Sequence, residues 1–489
     1  FFAARAVMLY LLDQLPVKCP DVERCHGTLV FLAVFFSVTA IDLAYLLFAH
    51  YPGTLTVDSM TTIRELMGDS PYSNTMPFWH TVTVKLFVDT GLRLFGDMNA
   101  AVALFHGAQI LFLAACFGYA VVTMYQSGVP GWFLAAAYAV YAFQPHNIVY
   151  SVVLWKDIPF AAAGLLFLTA LYRILKDIGT SRRWDYVLFA IGAMGFSLWR
   201  TNGWYAFIIT IPFLLISFRK NWKIMLPIHI TLLILVLLIK GPVMNHFEVE
   251  QPDFVESISI PLQQVGRVIA TGQELTAEQN ELINKIIKTE YVPKLYTEYI
   301  SDNMKELVRT YHPEYLTSHK AEYLKLWIEL GLKYPDIYFD AYIAQTRGYY
   351  SPSAVYSVAE VDGVIDNETG LYREYLIGGK LIVKLREVMI KLQDILPLYG
   401  ALWSMGSLFW GTLLFLGLTL GQKKIFTLKG KMNFLDVITV YIPNIAVIGT
   451  LLIATPVAIE FRYAYNLAYC IPLYFAMMLL SSENHPNAD

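Results

Sequence analysis

Charge is scarce in this sequence: Asp, Glu, Lys and Arg make up 15% of its 489 residues, where a water-soluble chain carries about a quarter. Cysteine is scarcer still, and four in a chain of this length make no disulfide framework. No repeat of fixed period and no low-complexity tract is visible. No glycine-rich phosphate loop opens a helix, so nothing demands a soluble nucleotide. A disordered chain, a disulfide scaffold and a DNA-binding protein are excluded together. The formal net charge of −3, from 36 basic and 39 acidic residues, is too near balance to say anything about partners.

What is abundant is apolar surface. Hydrophobic residues reach 56% and the mean hydropathy is +0.48. They gather in runs of roughly 16 to 25, enough to cross a hydrocarbon layer of about 30 Å at 1.5 Å per residue. The sequence therefore predicts an all-α polytopic membrane protein with about ten transmembrane helices. They fall near 29–50, 100–124, 131–148, 158–175, 186–199, 203–218, 224–240, 396–420, 435–455 and 463–481. With the N-terminus in the cytoplasm, the inner loops hold Lys176, Arg182 and Arg183, then Arg219, Lys220 and Lys223, then Lys423, Lys424, Lys429 and Lys431. The positive-inside rule selects that orientation. The expectation is a multi-pass plasma-membrane protein whose loops of unusual chemistry all face the extracytoplasmic side.

Four regions follow. Residues 1–28 form a cytoplasmic or interfacial segment, and 29–240 an N-terminal transmembrane module with a first outer loop at 51–98. Residues 241–395 form an extracytoplasmic, mostly helical domain, and 396–489 a C-terminal transmembrane module. The chain begins with Phe1 rather than Met, which leaves room for residues upstream, and its first twelve residues read as an interfacial helix or a clipped span. Cys19, Cys25 and His26 lack the fourth ligand and short spacing of a zinc site, so plain thiols are expected.

In the first outer loop, Tyr51-Pro52-Gly53 breaks the first span. Asp58 and Ser59 then stand at a helix N-cap before Met60, Ile63, Leu66 and Met67, which share one helical face. A second surface helix follows, with Lys85, Asp89 and Arg93 in a charged stripe. In the larger outer segment, Thr276 and Gln279 have capping-box spacing, a helical stretch through Glu322 to Leu332 is interrupted at Pro335, and 348–370 reads as a loop.

Asp58 is the sharpest candidate for chemistry. Just outside the first span, a carboxylate stays ionised yet is screened from bulk water, and it suits a general base taking a proton from a sugar hydroxyl. The structural alternative is a helix cap worth about 1 kcal/mol. His80, in Pro77-Phe78-Trp79-His80-Thr81, suits a phosphate or sugar hydroxyl, with an incidental place in an aromatic cluster as the alternative. Trp79 fits a sugar-stacking platform or an interface anchor.

Lys156 suits a lipid phosphate, with Asp157 orienting it or merely pairing with it at a helix start. Arg200, in the short turn Trp199-Arg200-Thr201-Asn202-Gly203, makes a phosphate fork, supported by Asn202. Glu460 and Arg462, two apart, do not face one another on a helix, so separate partners are expected. Arg462 and Arg200 together would neutralise a phosphate or pyrophosphate leaving group, with snorkelling as the alternative. Asp42 lies about 12 Å of helix rise inside His50 and calls for a partner or water, with His106 at similar depth as the candidate. His229 reads as a packing residue. Asn367-Glu368-Thr369 matches a glycosylation pattern too common to use.

The arrangement resembles the polytopic GT-C glycosyltransferases. The resemblance rests on the acidic residue after the first span with two helices in the first outer loop. More narrowly, Asp58, Tyr72-Ser73-Asn74, Pro77, His80-Thr81, Trp155-Lys156-Asp157-Ile158-Pro159-Phe160 and Glu460-Phe461-Arg462-Tyr463 are similar to an uncharacterised GT-C-like family of Gram-positive bacteria. The resemblance implies an inverting transferase that moves a sugar from a polyprenyl-phosphate donor, undecaprenyl phosphate in a bacterium, to an extracytoplasmic glycan or cell-wall polymer. Asp58 and His80 would be catalytic, Lys156, Arg200 and Arg462 would hold the donor phosphate, and Asp157, Asn202, Glu460 and Trp79 would support them. Asp58 has no acidic neighbour in sequence before Glu65 and Asp69, which leaves a divalent metal an open question. The competing expectations are a lipid-linked polysaccharide polymerase or ligase, a transporter or lipid flippase favoured only by Asp42 and His106, and a ligand sensor.

Overall fold

The computed structural model describes residues 26–176, 183–356, 362–374, 379–395, 403–421, 432–454, 457–458 and 460–481. The N-terminal stretch with Cys19 and Cys25, together with Arg182, Lys423, Lys424, Lys429 and Lys431, lies outside the described residues. Among those described the protein is all-α, with isolated bridges such as Thr54 to Val153 and Leu55 to Val364 in place of any sheet.

Ten helices stand where the hydropathy predicts spans. In chain order the elements are α1 (Gly27–Ala49), α2 (Val57–Met67), α3 (Phe78–Phe95), α4 (Met98–Ser127), α5 (Gly131–Phe143), α6 (Pro145–Ser151), α7 (Asp157–Lys176), α8 (Arg183–Leu198), α9 (Thr201–Ser217) and α10 (Trp222–Leu238). After these come α11 (Ser259–Ala270), α12 (Ala277–Ile286), α13 (Asp302–Arg309), α14 (Lys320–Lys333), α15 (Pro335–Thr346), α16 (Gly379–Ile395), α17 (Met405–Gly421), α18 (Phe434–Ala454) and α19 (Tyr465–Ser481). Six stretches are long and apolar enough to cross a membrane: Gly27–Ala49, Met98–Ser127, Asp157–Lys176, Trp222–His246, Phe434–Ala454 and Phe461–Leu480. The chain is a multi-pass membrane protein that associates with a lipid bilayer.

The other four expected spans are shorter. Helix α5 has 13 residues rather than the expected run to 148, a rise of about 20 Å against a layer of about 30 Å. It stops because Pro145 opens α6 and biases Gln144 away from helical geometry. Helices α8, α9 and α17 have 16, 17 and 17 residues.

Helix α7 is the hub, buried from Asp157 to Leu175 and packed against α4, α8 and α19. Ala161, Ala162, Ala163 and Gly164 let neighbours approach its backbone closely. At its far end Arg173 Nε–H and the Tyr119 hydroxyl both donate to Asp185 Oδ1, at 2.9 and 2.8 Å, a buried tie between α4, α7 and α8. His229 Nδ1 sits 2.6 Å from the Met225 carbonyl oxygen beneath Phe189 and Phe218, as a packing residue.

Between α10 and α16 the helices enclose a separate apolar cluster built on Leu262, Val265, Ile283, Met304, Tyr323 and Tyr338. The Thr276 capping box opens α12, with Thr276 Oγ1 accepting from the Gln279 amide at 3.2 Å. Pro335 separates α14 from α15. The Asn367 side chain is spent on its own turn: Oδ1 accepts from the Thr369 and Leu371 amides and Nδ2 donates to the Ile365 and Leu371 carbonyls.

Candidate functional site

The first turn of α2 is zipped onto the segment leading into α7. Thr54 donates its amide to the Val152 carbonyl at 2.7 Å, and Leu154 donates back to Thr54 at 3.2 Å. The Trp155 indole N–H donates to Thr56 Oγ1 at 2.8 Å, and Ser59 Oγ–H donates to the Leu154 carbonyl at 3.0 Å. These bonds set Asp58 beside Trp155-Lys156-Asp157. They also correct the N-cap expectation. Thr56 is the cap, its amide donating to Ser59 Oγ at 3.0 Å, and Asp58 sits in the first turn with its carboxylate aimed elsewhere. Met60, Ile63 and Leu66 are buried as expected, whereas Met67 is half exposed.

Asp58 faces the last span. Its Oδ2 lies 2.7 Å from Arg462 Nη1, and that guanidinium stacks 4.2 Å from the Trp155 ring centroid. Arg462 is also 3.2 Å from Glu460 Oε2, against the expectation that residues two apart miss one another. The reason is local: Glu460 is extended, and the 3₁₀ turn Phe461–Ala464 starts only after it. Asp58, Thr62, Met76, His80, Leu154, Trp155, Lys156 and Arg462 line one tight crevice that leaves no room for a free water.

The Lys156 ammonium donates to the Thr75 carbonyl at 3.0 Å and approaches Met76 Sδ at 3.3 Å. Asp157 therefore does not orient Lys156 or pair with it directly. One oxygen of Asp157, which is fully buried, accepts from Arg200 Nη1, and the other lies 4.0 Å from Arg462 Nη1. Arg200 stacks 4.8 Å from the Tyr463 ring and stands behind Asp157, outside the crevice lining. Its turn is tight because a Cβ at Gly203 would run into the Phe196 carbonyl oxygen. Asn202 Nδ2 donates to Thr450 Oγ1 at 3.2 Å, and Trp79 is half buried and also outside the lining. The aromatic at the site is Trp155, which the sequence motif contains but gives no reason to prefer over Trp79.

Burial pushes the Asp58 carboxyl upward, but the Arg462 and Lys156 charges, the Arg462 contact and Arg200 together hold it below the usual carboxylate range. Burial lowers the Lys156 ammonium despite Asp58 and Asp157 nearby. His80, expected near neutrality, is driven by burial, with Lys156 adding to it, down to about 3. At neutral pH it is an uncharged imidazole, able to donate from one nitrogen and accept at the other. Neither nitrogen has a hydrogen-bond partner among the described residues. Arg462 Nε and Nη1 likewise have charged neighbours but no aligned hydrogen-bond acceptor. A buried imidazole without a hydrogen-bond partner beside this ion pair marks a place where something else binds.

Asp42 and His106 do not pair. His106 Nδ1–H donates to the Pro52 and Val102 carbonyls at 2.9 and 3.1 Å, while Asp42 has the Ser151 side chain beside it. Glu65, which sequence reasoning passed over, accepts from Thr81 Oγ1 at 2.7 Å and from the Ser73 amide at 3.1 Å. It thereby holds the loop that carries Thr75 and Met76. Among the described residues no three His, Cys, Asp or Glu side chains converge as a metal-binding group.

Residues 68–489 match the model of a family of unknown function, DUF6020, and the chain belongs to that family. His80, Lys156, Asp157, Arg200, Glu460 and Arg462 fall within the matched range, and Asp58 precedes it. No curated protein and no solved structure matches the chain.

Proposed function

We propose that this chain is a membrane glycosyltransferase of the GT-C kind, moving a sugar from a polyprenyl-phosphate donor to an extracytoplasmic glycan or cell-wall polymer with inversion at the anomeric carbon. One observation carries the reading: at one end of the membrane bundle, a carboxylate, a guanidinium, an ammonium and a neutral imidazole line the same crevice, the guanidinium ion-paired to the carboxylate and the imidazole without a hydrogen-bond partner among the described residues. That set matches what the reaction needs.

Asp58, Asp157 and Glu460 balance Arg462, Arg200 and Lys156 in formal charge. The crevice has no room for a free water as it stands, so a phosphodiester enters only by parting the lining and competing with Asp58 for Arg462. As it takes over that guanidinium it frees the Asp58 carboxylate and relieves the field that depresses its basicity. The acceptor hydroxyl then attacks the anomeric carbon from the face opposite the phosphate. Its proton passes to Asp58, the bond from the anomeric carbon to the phosphate oxygen breaks, and the electron pair leaves on that oxygen. Arg462 and Lys156 stabilise the growing charge. His80 hydrogen-bonds phosphate or sugar without titrating, and Arg200 acts through Asp157, which holds Arg462 in place. Positive charge on the short loops opposite supports an extracytoplasmic site.

Purified protein incubated with radiolabelled polyprenyl-phosphate sugars and a glycan acceptor tests the reading. Wild type should transfer label, while Asp58→Asn should lose transfer with donor binding and melting temperature retained. Undiminished turnover in Asp58→Asn would remove that carboxylate from the mechanism.

A further inference from the structure

A second cavity, of about 260 Å³, lies against the loop that carries Glu460 and Arg462. Tyr299, Gln345, Arg347, Gly348, Tyr356 and Ala458 contribute to its lining. Gln345 is 1% exposed, yet neither its Oε1 nor its Nε2 has a hydrogen-bond partner among the described residues. A buried primary amide unpaired at both ends is costly unless a ligand or water completes it. Two residues on, the exposed Arg347 guanidinium stacks on the Tyr299 ring at 4.9 Å and has no carboxylate partner among the described residues. Among the described residues no acidic side chain lines the cavity.

The cavity wall is tied to the first site. A Cβ at Gly348 would run into the Ala458 carbonyl oxygen, so only glycine lets the turn lie flat on that loop. The Tyr349 and Tyr356 hydroxyls donate to the Val457 and Ala458 carbonyls, and the Tyr356 ring stacks on Phe461 at 5.3 Å. Three residues of chain separate Ala458 from Arg462, so the two are at most about 14 Å apart.

We infer that this cavity is an acceptor subsite for a negatively charged saccharide, with Gln345 bonding ring hydroxyls and Arg347 holding a carboxylate or phosphate substituent. The inference rests on the transferase reading above for the word acceptor, but not for the ligand chemistry. An amide with free donor and acceptor ends suits a hydroxyl, which is both at once. A stacked guanidinium suits a planar carboxylate or a phosphate. Tyrosine rings suit the apolar face of a sugar.

The test is calorimetric titration of the full chain in lipid nanodiscs with three probes: a hyaluronan tetrasaccharide carrying carboxylates, a glycerol-phosphate tetramer, and neutral maltotetraose. At least one acidic probe should bind more tightly than maltotetraose. Arg347→Gln, at an exposed position where folding is not at stake, should weaken that probe by about tenfold or more, and Gln345→Leu should weaken it similarly. Which acidic probe binds identifies the charged group. Binding of neither acidic probe, equal binding of maltotetraose, or an Arg347→Gln affinity within twofold of wild type would overturn the inference. Acidic-probe binding through Arg347 without any transfer of labelled sugar would leave the subsite standing and bring down the transferase reading. Transfer that needs Asp58, with the acceptor KM unmoved in Arg347→Gln, would do the reverse.

Discussion

Asp58, nine residues beyond the end of the first span at Ala49, and Arg462, at the start of the last, meet at 2.7 Å. The pair closes the bundle at one end, and it sets the protonation state of the carboxylate. Burial alone would push Asp58 up, and the surrounding cations reverse the sign. Replacing Arg462 by Gln should therefore let burial win.

The expected consequence is a new acid limb. The kcat/KM for donor, which reports Asp58 in the free enzyme before the phosphate takes Arg462, should be flat in wild type from about pH 5 upward, because a carboxyl held below its ordinary value of about 3.9 is fully ionised there. In Arg462→Gln the limb should move to higher pH, in addition to a loss of donor affinity of about tenfold or more from the missing charged contact. Initial rates from pH 4 to 8 for both proteins decide it. A variant profile that overlays the wild type after scaling would show that Arg462 does not tune Asp58.

Arg200 and Asp157 form a buried ion pair with side chains 6% and 0% exposed. Removing one partner strands a buried charge, so Arg200→Gln should cost about 3–5 kcal/mol. Arg200→Gln combined with Asp157→Asn should cost less than the two single changes added together. Thermal unfolding in nanodiscs for the four proteins closes the cycle, and simple additivity would mean the pair is not coupled.

These pairings show how much was legible beforehand. Ten hydrophobic runs, the cap at Thr276 and the concentration of odd charges at one end follow from composition and period alone. Partner choice does not. Lys156 and Asp157 are neighbours in sequence, but the chain between two elements turns them apart, toward Thr75 and Arg200 respectively. Asp42 and His106 match in depth, yet depth says nothing of rotation about a helix axis, and His106 turns to Pro52 instead. Glu460 and Arg462 were read on helical geometry where the backbone is extended. The Gln345 cavity had no signal, because a lone amide in a helix is ordinary until its surroundings are known.

Glu65 links stability to pH. Burial raises its carboxyl to about 6 from an ordinary 4.5, against the lowering pull of the Thr81 and Ser73 hydrogen bonds. A folded-state value above the unfolded one means the stabilising contribution is complete below about pH 4.5 and is lost as the pH rises through about 6. Wild type should therefore melt at a lower temperature at pH 7.5 than at pH 4.5 relative to Glu65→Gln, which keeps an acceptor for Thr81 and cannot ionise. Identical pH dependence of melting in both proteins would count against an ionising Glu65.

Trp155 separates packing from recognition. Its indole N–H holds Thr56 at the head of α2, while its ring lies under the Arg462 guanidinium. Trp155→Phe keeps a ring for the cation and loses the hydrogen bond, so it should cost about 1 kcal/mol of stability with little change in donor affinity. Trp155→Leu loses both, and the guanidinium, deprived of a contact worth up to about 2 kcal/mol when desolvated, should hold the donor about tenfold more weakly. Measured side by side, the two variants should differ more in donor Kd than in melting temperature. If both lose donor affinity equally, the ring face does not hold Arg462 for the phosphate. The hydrogen bond to Thr56, acting by placing Asp58, would then be what matters at this position.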